Sequence, residues 1–110
     1  MLGPVEVVVD GRAVPLGPPR QRAVLAMLAL AAPEVVSTDR FVDGLWGEEP
    51  PAKPLPALQV FVHGLRKALR DAGAGDVVQR AAPGYRLAVD RSATDVGQFL
   101  SLHDRARGPR

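Results

Sequence analysis

Cysteine is absent from the 110-residue chain, which excludes disulfides and thiolate metal sites. Long apolar runs are missing as well. The longest near-continuous one, AVLAMLALAA at 23–32, is too short to span a bilayer. No short basic leader opens the chain, so a secretion signal is not expected and a cytoplasmic location is. The two histidines, His63 and His103, are forty residues apart, which argues against a paired metal site, and no cofactor is expected. The carboxylates Asp43, Glu48 and Glu49 fall on an expected helix end and a proline loop. They have no base, nucleophile or phosphate-binding glycine loop beside them, so the chain is not expected to be an enzyme. Neither an internal repeat nor a low-complexity tract occurs.

The residues that are present make one domain with a modest core. Hydrophobic residues are 46% and charged residues 24% of the chain, the balance of a soluble globular protein. Net charge is only +2 but is unevenly placed. Residues 1–50 carry four Arg against seven acids, residues 51–91 carry seven Lys or Arg against three acids, and residues 92–110 add +1. A local basic patch matters more to a polyanion than the global charge does. The plainer reading of the same charges is a solvated face.

VEVVVDGRAVPLG (5–17) reads as two short strands around an Asp10–Gly11 turn. PPRQRAVLAMLALAAP (18–33) reads as a helix with proline in its first turn, stopped by Pro33. In VVSTDRFVDGLWG (35–47), a short β-like piece leads into a second helix. Ser37 or Thr38 can cap it, Asp39 suits its dipole, and Gly47 ends it. EEPPAKPLP (48–56), with four prolines, is a stiff loop. A third helix is expected from about Pro56 to about Ala72. At about 100° per residue, Leu58, Val62, Leu65 and Leu69 form its core stripe. Gln59, His63, Arg66, Lys67 and Arg70 share a flanking arc. Val60 and Gly64 fall beyond that arc, and Phe61 lies on the other edge of the stripe. DVVQRAAPGYRLAVD (76–90) reads as a hairpin of Val77–Arg80 and Tyr85–Val89 around a turn at Ala81–Gly84. DVGQFLSLHDRAR (95–107) reads as one more amphipathic helix capped by Asp95. Arg70–Asp71 and Arg40–Asp39 offer only weak surface pairing.

The expected fold is therefore α+β: an N-terminal β-hairpin or short sheet, three helices, and a C-terminal β-hairpin. That is the layout of a winged helix-turn-helix, in which the third helix enters the major groove and the hairpin, or wing, lies along the backbone or minor groove.

LGPPRQRAVLAMLAL, VVSTDRFVDGLWGEEPP, ALQVFVHGLRKAL and PGYRL, in this order and spacing, resemble the N-terminal DNA-binding domain of the Streptomyces antibiotic regulatory protein family. That domain is a winged helix-turn-helix of OmpR type. The resemblance implies a DNA-binding domain over 1–91. It also implies that 92–110 begins the helical transcriptional activation domain of a longer protein. It further implies a bacterial transcription regulator, commonly an activator of secondary-metabolite genes. The family binds direct repeats in double-stranded DNA, usually as a head-to-tail pair, and recruits RNA polymerase, with no membrane partner. The polymerase-facing loop corresponds to Gly47–Leu55, here with Gly47, Glu48, Glu49 and Lys53.

Carried over by resemblance, Thr38, Trp46 and Arg66 contact phosphates. The family's groove-facing positions, usually His and then Arg or Asn, hold Phe61 and Gly64, neither of which can donate to a guanine edge. Base reading then falls to Gln59, Val60, His63 and Lys67, or specificity is low, or it comes from DNA shape. Arg70, Arg80, Tyr85 and Arg86 complete the candidate DNA-binding set. Arg80 takes the place of a family wing arginine that would stand at Ala81. Tyr85 is expected to pack its ring at the wing base with its hydroxyl free for a phosphate. The rival reading is a winged helix kept as a protein–protein interaction module, its groove-reading residues decayed.

Overall fold

The three expected helices all form, two of them started by proline and one capped by a side chain. The computed structural model describes residues 6–9, 11–89, 94–95 and 99–102. Helix α1 (Pro19–Ala31) starts on two prolines, Pro18 as N-cap and Pro19 inside the first turn. The first-turn N–H groups have no intrahelical acceptor, so proline loses nothing there. Val24, Leu25 and Leu28 of α1 are fully buried.

Helix α2 (Thr38–Trp46) is capped by Ser37, whose hydroxyl accepts from the Arg40 N–H at 3.1 Å. Gly47, at φ +62°, ends it by donating its N–H to the Asp43 carbonyl at 2.9 Å. Helix α3 (Pro54–Asp71) starts two residues before the expected Pro56. Pro54 and Pro56 both fit its first turn, because the first helical N–H groups go unpaired in any case. The stiff connection thereby shortens to Gly47–Lys53.

The helices pack on two small sheets. In the first, β1 (Glu6–Val9) pairs antiparallel with β2 (Arg12–Val14), as the hairpin reading requires. Gly11 in the turn has φ +83°, a conformation open to glycine; Asp10 lies outside the described residues. In the second, β3 (Val36–Ser37) pairs with β5 (Gly84–Leu87), which pairs with β4 (Val78–Ala81). The wing turn is thus Ala82–Pro83, narrower than the expected Ala81–Gly84.

The helix expected over 95–107 is corrected by the backbone. Thr94–Asp95 is a short strand, β6, and Phe99–Leu102 is a strand, β7, parallel to β1 and antiparallel to β6. The first sheet therefore has the order β2-β1-β7-β6. An uncovered β1 edge would present a row of unpaired N–H and C=O groups, and β7 satisfies them. The rest of that segment, His103 included, lies outside the described residues.

The core is one cluster. Phe41 from α2 and Tyr85 from β5 meet edge to face, 6.2 Å between centroids at 65°, next to Leu58, Leu65 and Leu69 of α3 and Leu87. Gly84 is where β5 passes closest to β3. A methyl there would overlap the Val36 carbonyl oxygen and crowd the Ser37 Cα at 2.8 Å. Both obstacles are backbone and cannot rotate aside. Gly84→Ala is therefore expected to lower stability by about 1–3 kcal/mol, the usual range for overpacking, in a denaturant titration. An unchanged midpoint would contradict the close β3–β5 approach.

Candidate nucleic-acid interface

The buried stripe of α3 decides which residues look outward. Leu58, Val62, Leu65 and Leu69 are inside; Gln59, Val60, His63, Lys67 and Arg70 are exposed. Val60 is the boldest of them, an aliphatic side chain 67% exposed.

Phe61 lies at the edge of the buried stripe, as its helical spacing implies, and Gly64 packs against α1, so neither stands free on the exposed face as the family pattern implied. Phe61 is half-buried, its ring 6.1 Å from that of Trp46 at the end of α2. Gly64 is where α3 meets Gln21 of α1. A Cβ on Gly64 would overlap the Gln21 Oε1 and stand 2.8 Å from its Cδ. Gln21 is 9% exposed, and its Nε2 donates to the Leu16 carbonyl at 2.8 Å. Gly64 thus makes room for a satisfied buried amide, a packing role that needs no donor toward DNA.

On its other flank α3 faces the wing. The Arg66 Nε donates to the Val78 carbonyl at 3.0 Å. Its guanidinium carbon lies 5.8 Å from the Tyr85 ring centroid, within cation–π range. The Tyr85 ring is buried at the wing base, as expected. A cavity of about 250 Å³ opens beside it, lined by Thr38, Leu55, Gln59, Arg80, Pro83 and Tyr85. The Thr38 N–H donates to the Pro83 carbonyl at 3.1 Å and ties the start of α2 to the wing turn. Four candidate residues from four elements, α2, α3, β4 and β5, thus converge on one concavity.

The remaining basic residues differ in how they are held. Lys67 pairs with Asp71 at 2.9 Å and Arg70 with Asp76 at 3.0 Å, both at exposed sites. Arg70 does not pair with its neighbour Asp71, since successive helical side chains do not face each other. Exposed pairs are worth about 0–1 kcal/mol, so an incoming phosphate can displace either acid. Arg80 is exposed and has no ion-pair partner among the described residues. Arg86 is not brought to the cavity. It sits across from Gln79, on the face of the wing opposite the Arg80–Tyr85 pair, and its Nη1 donates to the Pro33 carbonyl at 3.3 Å. Gly47, Glu48, Glu49 and Lys53 are exposed in the α2–α3 connection.

Arg20 is the residue that sequence reasoning missed. Its Nε donates to the Leu45 carbonyl at 3.4 Å, and its guanidinium carbon lies 5.8 Å from the Trp46 ring centroid. The contact spans 25 residues, and no local pattern announces it.

The family described as "transcriptional regulatory protein, C terminal" matches residues 11–87. The chain belongs to this family. The regulator domain is 39% identical over 107 residues to the transcriptional regulatory protein MoaR1 of Mycobacterium tuberculosis, covering 94% of this chain and 34% of that protein. It is 40% identical over 103 residues to the transcriptional regulatory protein EmbR of the same species, covering 92% and 26%. It is 33% identical over 114 residues to the regulatory protein DnrI of Streptomyces peucetius, covering 97% and 42%. The solved structure of Mycobacterium tuberculosis EmbR in complex with a low affinity phosphopeptide superposes with a TM-score of 0.74 at 36% identity, covering 84% of this chain and 27% of that one. The chain thus spans about a quarter to two-fifths of these relatives' length. The α+β winged helix-turn-helix fold and the resemblance to the Streptomyces antibiotic regulatory proteins are both upheld. The domain is a DNA-binding domain of transcriptional regulators, and its relatives do not favour the interaction-module reading.

Arg66 and Lys67 are adjacent in sequence but differ in structural role. Arg66→Ala removes a charged hydrogen bond joining α3 to β4 and is expected to cost roughly 1–2 kcal/mol. Lys67→Ala removes only an exposed pair and is expected to stay within about 0.5 kcal/mol of the parent. Equal midpoints for the two variants in chemical denaturation would contradict the assignment of Arg66 as the helix–wing tie.

Proposed function

We propose that the exposed face of α3 sits in the major groove of double-stranded DNA while the wing lies on the backbone or minor groove. The observation that carries this reading is the cavity at the α2–α3–wing junction. There Thr38, Gln59, Arg80 and Tyr85 converge beside the exposed row Val60, His63 and Lys67. Thr38, Trp46, Arg66, Lys67 and Arg80 bind phosphates, with the Tyr85 hydroxyl beside them and Arg70 extending the row. The Arg66 Nε is occupied by Val78, so Arg66 meets a phosphate with its Nη groups. Gln59 reads a base edge through its amide, and Val60 offers apolar contact suited to a thymine methyl. Arg86, held on the far face of the wing, is left out of this set.

The wider assignments rest on family likeness. We infer a bacterial transcription activator that binds direct repeats as a head-to-tail pair and controls secondary-metabolite genes in the cytoplasm. It meets RNA polymerase through Gly47, Glu48, Glu49 and Lys53. Residues 92–110 lead into a further domain, with β7 anchoring that passage to the N-terminal sheet. No described helix is long and apolar enough to cross a membrane. The family's regulators give no reason to expect catalysis.

Four cationic phosphate contacts, from Arg66, Lys67, Arg70 and Arg80, give an expected slope of log affinity against log salt of roughly −3 to −4. Arg80→Ala is expected to weaken binding to all duplexes alike, whereas Gln59→Ala should change the preference among sequences. Fluorescence anisotropy on duplexes recovered from a random pool measures both. Flat salt dependence overturns the interface, and sequence-blind loss in Gln59→Ala overturns its reading role.

A further inference from the structure

We propose that Arg20 is a phosphate-binding residue, and that with Trp46 it forms a second backbone grip on the flank of α3 opposite the wing. The inference rests on the DNA-binding reading above. Three observations carry it.

The first is position. Arg66 and Phe61 lie on opposite sides of the buried stripe of α3, at about 100° per residue. Arg66 faces Val78 and Tyr85 of the wing. Phe61 faces Trp46, and Trp46 carries Arg20. The exposed row Val60, His63 and Lys67 runs between the two flanks. A duplex that receives that row presents phosphates to both sides, because the major groove is bounded by both strands.

The second is how the guanidinium is held. Arg20 is exposed, yet its head is fixed by the Leu45 carbonyl on one edge and the indole face on the other. Only Nε is used, so two Nη groups stay oriented by the rigid fork and open to an acceptor. Positively charged side chains suit helix C-termini, and a staple onto α2 would account for the Nε bond alone. It does not use the two Nη groups, which make no hydrogen bond among the described residues.

The third is the lack of a competing anion. Glu48 and Glu49 follow Trp46 closely, but no carboxylate pairs with Arg20 among the described residues. Lys67 and Arg70 each hold an acid at rest; Arg20 does not. Two sites, Arg20 on one flank and Arg80 on the other, therefore stand ready for phosphate without breaking an ion pair.

The test uses the 110-residue chain, a duplex recovered from a random pool, and the variants Arg20→Ala, Arg20→Gln, Arg20→Lys and Arg12→Ala. Arg12 is an exposed cation on β2 and serves as the charge control. Circular dichroism checks that each variant is folded. Arg20→Ala and Arg20→Gln are expected to reduce the salt slope by about 0.9, the value of one phosphate contact. Arg20→Lys should keep the slope, and Arg12→Ala should leave it unchanged. Neutral methylphosphonate linkages, placed one at a time, should show one phosphate at which the parent is sensitive and Arg20→Ala is not. Arg80→Ala should remain sensitive at that same phosphate. Weaker binding by Arg20→Ala and Arg20→Gln with the parent slope means a structural staple only and overturns the inference. Should Arg20→Ala unfold, an unchanged slope in Arg20→Gln does the same. A parent chain that binds no duplex overturns the DNA interface itself and this inference with it.

Discussion

The rotation of α3 about its own axis is the constraint on which the interface depends. Leu58, Val62, Leu65 and Leu69 are buried against α1, α2 and the wing sheet, and burying such side chains is worth about 1.5–3 kcal/mol each. Any turn of the helix that brought Phe61 or Gly64 outward would expose part of this stripe. It would also pull Gly64 from Gln21, whose buried amide occupies the space a side chain there would take. The stripe therefore fixes Gln59, Val60, His63 and Lys67 on the exposed side of α3, the side proposed to face the groove.

Fixing the helix is only half of the geometry, since the wing must hold a set place beside it. Arg66 supplies that link, with one edge of its guanidinium on the β4 backbone and its face near Tyr85. Tyr85 in turn packs on Phe41 of α2. Thr38 closes the circuit by bonding the wing turn. Helix α3, its neighbour α2 and the wing are thus held together by the Arg66 and Tyr85 side chains and the Thr38 backbone, all bordering the proposed DNA surface. Packing and recognition share these residues, so changes here register in both stability and binding.

Much of this was legible in the sequence because it depends on local pattern. Proline starts, the Ser37 cap, the Gly47 stop and the spacing of the α3 stripe define the helices, and the apolar alternation around Pro83–Gly84 defines the wing. The misread parts depend on contacts distant in sequence. Gly64 reads as a weak point in a helix until Gln21 is seen to occupy its missing side chain. Arg20 is one arginine among twelve until Trp46 is found beneath it. Arg86 alternates outward in the strand, as its sequence position says, but outward there is away from α3. Phe99–Leu102 looks helical in isolation and becomes a strand because β1 offers an edge to pair with. The early start of α3 at Pro54 is hidden because the four prolines of 48–56 read together as a loop, although Pro54 fits a helix's first turn as well as Pro56 does.

The regulator domain thus presents one exposed helical row between two cationic flanks, with the family's fold built to hold that arrangement still. The most direct measurement is dimethyl sulfate protection of a bound duplex, because guanine N7 lies in the major groove and adenine N3 in the minor groove. The account predicts a continuous patch of protected guanine N7 positions under α3, lost when Val60→Asp places a charge at the apex of the row. A bound complex in which every guanine N7 keeps its full reactivity would contradict it.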